Sequence, residues 1–431
     1  MNNSSGKIFL NQPEIRKNQE NKMHDLLAYL KTNSPYYQKI FREHKIDPDK
    51  IRHLEDLKWI PATGKEELQL YNDEFLCVPL SSVIEYTSTS GTLGAPVTIA
   101  LTERDLQRLA YNEFKSFSCA GCGSEDIFQL LLTLDRQFMA GMAYYSGIRK
   151  LGAAVIRVGP GVPSLQWETI FRLKTTVLVA VPSFILKLIQ YASDHNIDLT
   201  DSSIKKAICI GENIRQPDFS LNVLGKKITD NWNLKLFSTY ASTEMQTAFT
   251  ECEAGKGGHH QPDLVIVEIL NDQGQPVQKG EAGEVTISTL GVEGMPLLRY
   301  KTGDICIAHD EPCICGRHTL RLSPVIGRKK QMIKFKGTTL FAPALFDLLT
   351  GMEDISDYVA EVFSNEIGTD EVLLYILPIK NTEESDHRIR AYLQARLRVT
   401  PHIKYVTAEE IQKLQFPGES RKPVKFIDKR I

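Results

Sequence analysis

At 431 residues the chain is too long for one compact core, which implies two or three subdomains. Hydrophobic residues make up 42% and charged residues 24%, ordinary for a soluble globular protein. A formal net charge of −2 leaves no global basic field to hold a nucleic acid backbone, which disfavours nucleic acid as a partner.

Residues 1–27 are polar and lack the apolar core of a secretory signal. Residues 14–45 carry apolar and aromatic side chains at helical spacing, interrupted at Asn33-Ser-Pro35. Next comes Tyr86-Thr-Ser-Thr-Ser-Gly-Thr-Leu-Gly-Ala-Pro96, hydroxyl-rich with two glycines, between two β-type segments. Hydroxyl donors and bare backbone N–H groups can both face a phosphate, and glycine removes the Cβ that would block close approach. From 127 to 210 short apolar runs alternate with amphipathic stretches. Residues 127–134, 153–158, 177–181 and 204–210 read as buried strands, with helices over 139–150, 165–173 and 183–196 between them. That alternation implies parallel βαβ units with right-handed crossovers. The most apolar run, 176–189, is too short to span a membrane and is broken by Pro182 and Lys187. A cytoplasmic enzyme is the expectation, with no membrane partner.

Residues 263–270 and 283–290 alternate like antiparallel strands around the turn Asn271-Asp-Gln-Gly274. The pattern changes near Gly327-Arg-Lys-Lys330. A hairpin over 332–341, a helix started by Pro343, a strand over 371–377, a helix over 382–397 and a basic tail then predict a separate α+β domain of ~100 residues. The expected division is residues 1–327 as a large α/β domain of βαβ subdomains and 328–431 as a small mobile one.

Three further segments share the chemistry of the 86–96 stretch. Ser238-Thr-Tyr-Ala-Ser-Thr-Glu244 offers an aromatic face, a phosphate hydroxyl and a carboxylate for Mg²⁺. Leu298-Arg-Tyr-Lys-Thr-Gly-Asp304 puts a carboxylate after a Thr-Gly turn, where it can accept bonds from ribose hydroxyls. Gly327-Arg328 adds a guanidinium that can reach a phosphate or ribose. Taken singly, each also fits an ordinary turn or strand end.

In family order, these segments resemble the adenylate-forming superfamily of acyl-CoA synthetases, adenylation domains and luciferases, and specifically its phenylacetate–CoA ligase branch. Ser88 to Pro96 resembles the family's phosphate loop, Tyr240-Ala-Ser-Thr-Glu244 its Tyr-Gly-x-Thr-Glu motif, and Arg299-Tyr-Lys-Thr-Gly-Asp304 its Tyr-Arg-Thr-Gly-Asp motif. Gly327 to Gly337 resembles the hinge motif, and Arg421 to Arg430 the closing lysine motif. The resemblance implies that a carboxylic acid attacks the α-phosphate of ATP to give acyl-AMP and pyrophosphate. A thiol, usually coenzyme A, then displaces AMP. By the same resemblance Ser88, Ser90, Gly91 and Thr92 cradle pyrophosphate, Thr243 touches the α-phosphate and Glu244 holds Mg²⁺. Asp304, assisted by Arg328, takes the ribose. Tyr240 and Ala241 flank adenine, with Gly211-Glu212 at the other edge of that pocket. Lys422 occupies the position of the adenylation lysine, with Lys425 three residues away as the alternative. Lys330 stands at the hinge, where most relatives carry Asp.

A second constellation joins Cys252 and His259 to Cys313 and Cys315. Three thiolates and an imidazole make a tetrahedral structural zinc set, and some members of the branch carry the same pairs. Gly257-Gly-His259 fits that register better than His260. Cys119-Ala-Gly-Cys122 has no second pair nearby and receives no role.

The acyl pocket is expected along 134–145, with Phe138, Gly141 and Tyr144 retained from the phenylacetate ligase pattern and Arg136, Gln137 and Met139 departing from it. Residues 182–184 and Gly211 complete it. An apolar site with aromatic rims suits an aryl or medium acyl acid. Arg136 is open to a second carboxylate or to solvent. The implied partners are a small carboxylic acid, ATP and coenzyme A. A homodimer stays open. So does the reading that the acyl or AMP group passes to an acceptor other than coenzyme A. Intact Thr243, Glu244 and Asp304 disfavour a noncatalytic nucleotide-binding protein.

Overall fold

The computed structural model describes residues 10–89, 97–335, 338–365, 370–397, 401–417 and 423–430. They form two compact units, with the break between Val325 and Ile326.

In the larger unit the first helix, α1 (Gln12–Asn33), opens on a capping box. The Asn11 side chain accepts from the Glu14 N–H at 3.0 Å, and Glu14 accepts from the Asn11 N–H at 2.9 Å. It stops at Ser34, where Pro35 cannot continue the ladder and begins α2 (Pro35–Glu43) instead. Their inner faces, Met23, Leu27, Leu30 and Tyr37, join one core with Phe75, and Tyr36 stacks on Phe75 at 4.0 Å. After the short α3 (Lys65–Leu70), strands β1 (Glu85–Ser88) and β2 (Thr98–Leu101) pair antiparallel. The Ser/Thr/Gly stretch is therefore the connection of a hairpin.

Helix α4 (Glu103–Cys119) leads into the alternating region: β3 (Ile127–Leu130), α5 (Met139–Leu151), β4 (Ala154–Arg157), α6 (Pro163–Leu173), β5 (Val177–Ala180), α7 (Pro182–Asp194), β6 (Lys206–Ile210) and β7 (Lys235–Ser242). These strands lie parallel in the order β4-β3-β5-β6-β7. The strand expected over 127–134 stops at Leu130, because Thr133 and Asp135 bond to each other in the turn toward α5. Beyond β7 the sheet continues antiparallel through β8 (Thr247–Glu251), β9 (Gly258–His259), β13 (Arg321–Leu322), β12 (Tyr300–His309), β11 (Ala282–Thr289) and β10 (Val265–Leu270). The parallel half reads as near-continuous apolar runs, as strands covered on both faces must, and β5 is buried at every position.

Helices α4 and α5 pack at close range. A Cβ at Gly147 would lie 2.3 Å from Cβ of Glu113, so only glycine fits there. Glu113 is 5% exposed; one carboxyl oxygen accepts from Asn112 at 2.9 Å and the other has no partner among the described residues. Burial raises its pKa from 4.5 to about 8, against the opposing Asn112 bond. Between those values the folded state holds a proton that the unfolded chain releases. The stability this group contributes is therefore full below pH 4.5 and is lost as pH rises through 8, at about 1.4 kcal/mol per pH unit within the window. Glu113→Gln should remove that slope. Urea denaturation of both proteins near pH 5 and near pH 8 checks it, with the variant gaining on the parent by about 3 kcal/mol at the higher pH.

The smaller unit is a sheet with strand order Thr338–Phe341, Met332–Phe335, Asp370–Pro378, Ile355–Ser364, Phe426–Asp428, with His402–Tyr405 also on Asp370–Pro378. Helices Ala342–Thr350, Glu383–Leu397 and Ala408–Gln415 accompany it, and Val362, Leu374, Ile376, Leu345, Ile389 and Leu393 form its core. Its strand Ile355–Ser364 is absent from the sequence-based reading. Gly327 stands where a Cβ would meet the Phe341 ring at 2.1 Å.

Candidate active site

Several of the sequence-predicted site segments follow the carboxyl ends of parallel strands. The loop to Phe138 leaves β3, Pro182-Ser183 leaves β5, Gly211-Glu212 leaves β6, and Tyr240 and Ala241 end β7. One edge of an open α/β sheet thus gathers them, the edge where such sheets bind ligands.

Asp304 owes its position to an irregularity. Glu284 on β11 faces Ile305 and Thr286 faces Lys301, so Val285 alone opposes Thr302, Gly303 and Asp304. Gly303 takes φ +79°, and the bulge turns the Asp304 side chain toward β7. There the Tyr240 hydroxyl donates to Asp304 Oδ2 at 2.8 Å. Burial and the Asp304 charge push the Tyr240 phenol well above its ordinary pKa, so it remains a donor. The aromatic face expected beside adenine thus carries a second duty, orienting the carboxylate expected to take the ribose. Tyr240→Phe keeps the ring and deletes the bond; ATP affinity should fall by about tenfold, the scale of one hydrogen bond to a charged group. Calorimetric titration checks it, with thermal melting as the control for the fold.

Thr243 and Glu244 lie half-buried in the turn 243–246, and Gln246 closes that turn at φ +50°. The turn is braced from below by Arg108 of α4. Its guanidinium donates to the carbonyls of Gln246 at 2.7 Å, Leu264 at 2.6 Å and Leu290 at 2.7 Å, and to the Thr247 hydroxyl at 3.2 Å. Burial lowers its pKa to about 10, still charged at neutral pH. An arginine inside an amphipathic helix carries no sequence signal for this role. Arg299, within the Asp304 motif, pairs with Glu268 at 2.9 and 3.0 Å and bonds the Ile60 carbonyl, so it serves packing.

Ser88 is buried, and its N–H donates to the Gln137 carbonyl at 3.0 Å, joining the phosphate-loop hairpin to the acyl segment. Thr89 closes the loop's base through its bond from the Val97 N–H. Ser90, Gly91 and Thr92 lie outside the described residues, as does Lys422. Glu212, expected at the adenine edge, accepts from both the N–H and the hydroxyl of Ser183 at 2.9 Å and so fastens the β6 loop to the start of α7. Arg328 is exposed, and Lys330 lies in a short helical turn, Lys329–Gln331.

Along the acyl segment, Arg136 and Gln137 take left-handed φ of 55° and 57°. Phe138 is half-buried. A Cβ at Gly141 would lie 2.4 Å from the Thr133 carbonyl, so the glycine permits α5 to start there. Tyr144 is 3% exposed and packs near Phe117 in the core. Met139, Met142 and Ala143 instead line a cavity of about 100 Å³ shared with Leu106 and Leu109.

The four predicted metal donors converge: the ligand atoms of Cys252, His259, Cys313 and Cys315 all lie within 4.8 Å of one another. The Sγ atoms of Cys252 and Cys313 are 3.7 Å apart, and Cys315 Sγ is 3.5 Å from His259 Nε2. Zinc with bonds of about 2.3 Å to sulfur and about 2.05 Å to nitrogen requires edges of about 3.8 and 3.5 Å in a tetrahedron. The donor set fits. His259 Nδ1 is 2.8 Å from the Thr319 hydroxyl, which leaves Nε2 as the ligand atom, and Arg317 donates to Cys315 Sγ at 3.3 Å. His260 points elsewhere, to the Leu320 carbonyl. Cys119, given no role from sequence, packs against Cys252 and Cys313.

A family model described as "AMP-binding enzyme" matches residues 45–294. The chain is 27% identical to a phenylacetate-coenzyme A ligase of Thermus thermophilus, over 92% of this chain and 91% of that protein. It is 25% identical to a phenylacetate-coenzyme A ligase of Escherichia coli, over 80% and 78% respectively. Among solved structures, a 2-hydroxyisobutyryl-CoA ligase in complex with an acyl-AMP superposes with TM-score 0.82 at 19% identity, over 97% of this chain and 90% of that one, a likeness of fold. Among the described residues no helix is long and apolar enough to cross a membrane.

Proposed function

The chain belongs to the AMP-binding enzyme family, and from that premise we infer that it joins a carboxylic acid to coenzyme A through an acyl-adenylate, with ATP cleaved to AMP and pyrophosphate. The observation that carries this reading is the pairing of Tyr240 with Asp304 at the carboxyl edge of the parallel strands, beside the turn that bears Thr243 and Glu244. Such a transfer needs charge neutralisation and in-line positioning more than a covalent protein nucleophile. Glu244 would hold Mg²⁺, Asp304 the ribose, and Ser88 with the following loop the pyrophosphate. Lys422 would supply the adenylation charge. Lys425, the alternative, lies 3.6 Å from Asp357 and over the Tyr358 ring, which favours Lys422 for the role. The Cys₃His cluster would hold a structural zinc: its four protein donors leave no open position for water.

The similarity to phenylacetate ligases supports aryl acids as the first substrates to test. The test is AMP release with and without coenzyme A across aryl, fatty and dicarboxylic acids. Release that requires both an acid and coenzyme A supports the reading. Acid-dependent release indifferent to coenzyme A would assign another acceptor.

A further inference from the structure

We propose that the buried ion pair between Glu251 and Arg215 couples the Cys₃His cluster to the adenine side of the nucleotide pocket. Arg215 and Glu251 are then positioning residues. The inference rests on the functional reading above.

Glu251 ends β8, and the next residue, Cys252, is the first cluster donor. Its carboxylate is 1% exposed and has donors on two other segments. Arg215 Nε donates to both oxygens at 2.8 and 3.0 Å, and the Ser238 N–H donates at 3.0 Å. Glu251 also pairs across β8 and β9 with Gly258, the residue before His259. Ser238 lies two residues before Tyr240 on β7. Arg215 lies four residues after Gly211, and its Nη1 closes that loop by donating to the Phe219 carbonyl at 3.1 Å. Glu251 therefore ties together, through its carboxylate, the strand bearing Tyr240 and the loop bearing Gly211 and Glu212, and, through its backbone pairing, the segment between two cluster donors.

The fit around the guanidinium makes the link directional. A Cβ on Gly255 would lie 2.7 Å from Arg215 Nη2, so the cluster loop rests against the arginine. A Cβ on Gly257 would lie 2.5 Å from the Leu322 carbonyl and 3.0 Å from the Phe219 ring. A shift of 252–259 on metal loss therefore reaches Arg215 and Phe219, and through them the loop from Gly211. With the donors held, the pair is pinned. With them released, the carboxylate and its donors lose their common reference.

The test is calorimetric titration of Mg–ATP and Mg–GTP into the full-length protein, as purified and after chelation, for the parent, Arg215→Lys and Glu251→Gln. Lysine keeps the charge and loses the fork; glutamine keeps the acceptor for Ser238. Each variant should bind ATP at least about fivefold more weakly and prefer it less over GTP, the lower end of ordinary intersite coupling. Zinc content should stay at the parent level. Chelation should reproduce that loss in the parent and add less than about twofold in the variants. Variants that bind ATP like the parent would overturn the proposal, as would losses that multiply or a purified protein without metal. A parent that binds no ATP at all would instead sink the functional reading itself.

Discussion

Lys422→Ala is expected to slow acid-dependent ATP–pyrophosphate exchange by on the order of 10²–10³-fold, while thioester formation from preformed acyl-adenylate falls by no more than about threefold. The asymmetry follows from when charge develops. In adenylation the α-phosphate gains negative charge as the carboxylate enters, and a lysine there stabilises the transition state more than the ground state. In thioester formation AMP leaves with its charge already made. Separate assays of the two half-reactions on one preparation check it. The companion Lys425→Ala should leave exchange within about threefold, because Lys425 is engaged with Asp357 and Tyr358. The reverse ranking would move the adenylation role to Lys425.

The second large effect concerns the cluster. The protein should carry one zinc per chain, and Cys313→Ser should lose it. Structural zinc in isolated fingers supplies about 10–16 kcal/mol at neutral pH. Here the donors lie in an already packed sheet, so a smaller share is expected, about 5 kcal/mol, with melting lowered by roughly 10 °C. The electrostatics of His259, though not of Cys252, suit a bound cation. Without one, burial raises the Cys252 thiol, and burial with the Arg317 and Arg321 charges holds His259 down at about 3. A neutral imidazole is the ligand form, and the cation would convert the thiols to thiolates. Metal analysis of parent and variant beside a melting curve checks this. Unchanged melting with zinc lost would demote the cluster to a passive site.

What was legible in the sequence was local. Apolar runs alternating with amphipathic stretches disclosed the parallel strands β3 to β6 and helices α5 to α7, because each element buries its own periodic face. The β-type segments flanking the Ser/Thr/Gly loop and the Cys-x-Cys pair were equally local, and His259 could be chosen over His260 on the glycine register. Apart from the Cys252–His259 and Cys313–Cys315 donors, contacts between distant segments were not legible. Arg108 reaches Gln246 across 138 positions, and Arg215 reaches Glu251 across 36. Each looks like an ordinary charge on its own element. Tyr144 illustrates the same limit: helix periodicity marks it as facing inward, and only packing against Phe117 assigns it to the core. The bulge that aims Asp304 needed the partner strand's register, although Thr302-Gly-Asp304 marked the turn.

The most direct test of the account is ATP–pyrophosphate exchange with and without a panel of carboxylic acids. It predicts exchange that appears only when an acid is added and that Asp304→Ala abolishes. Exchange absent with every acid, or ATP cleaved to ADP and phosphate, would contradict it.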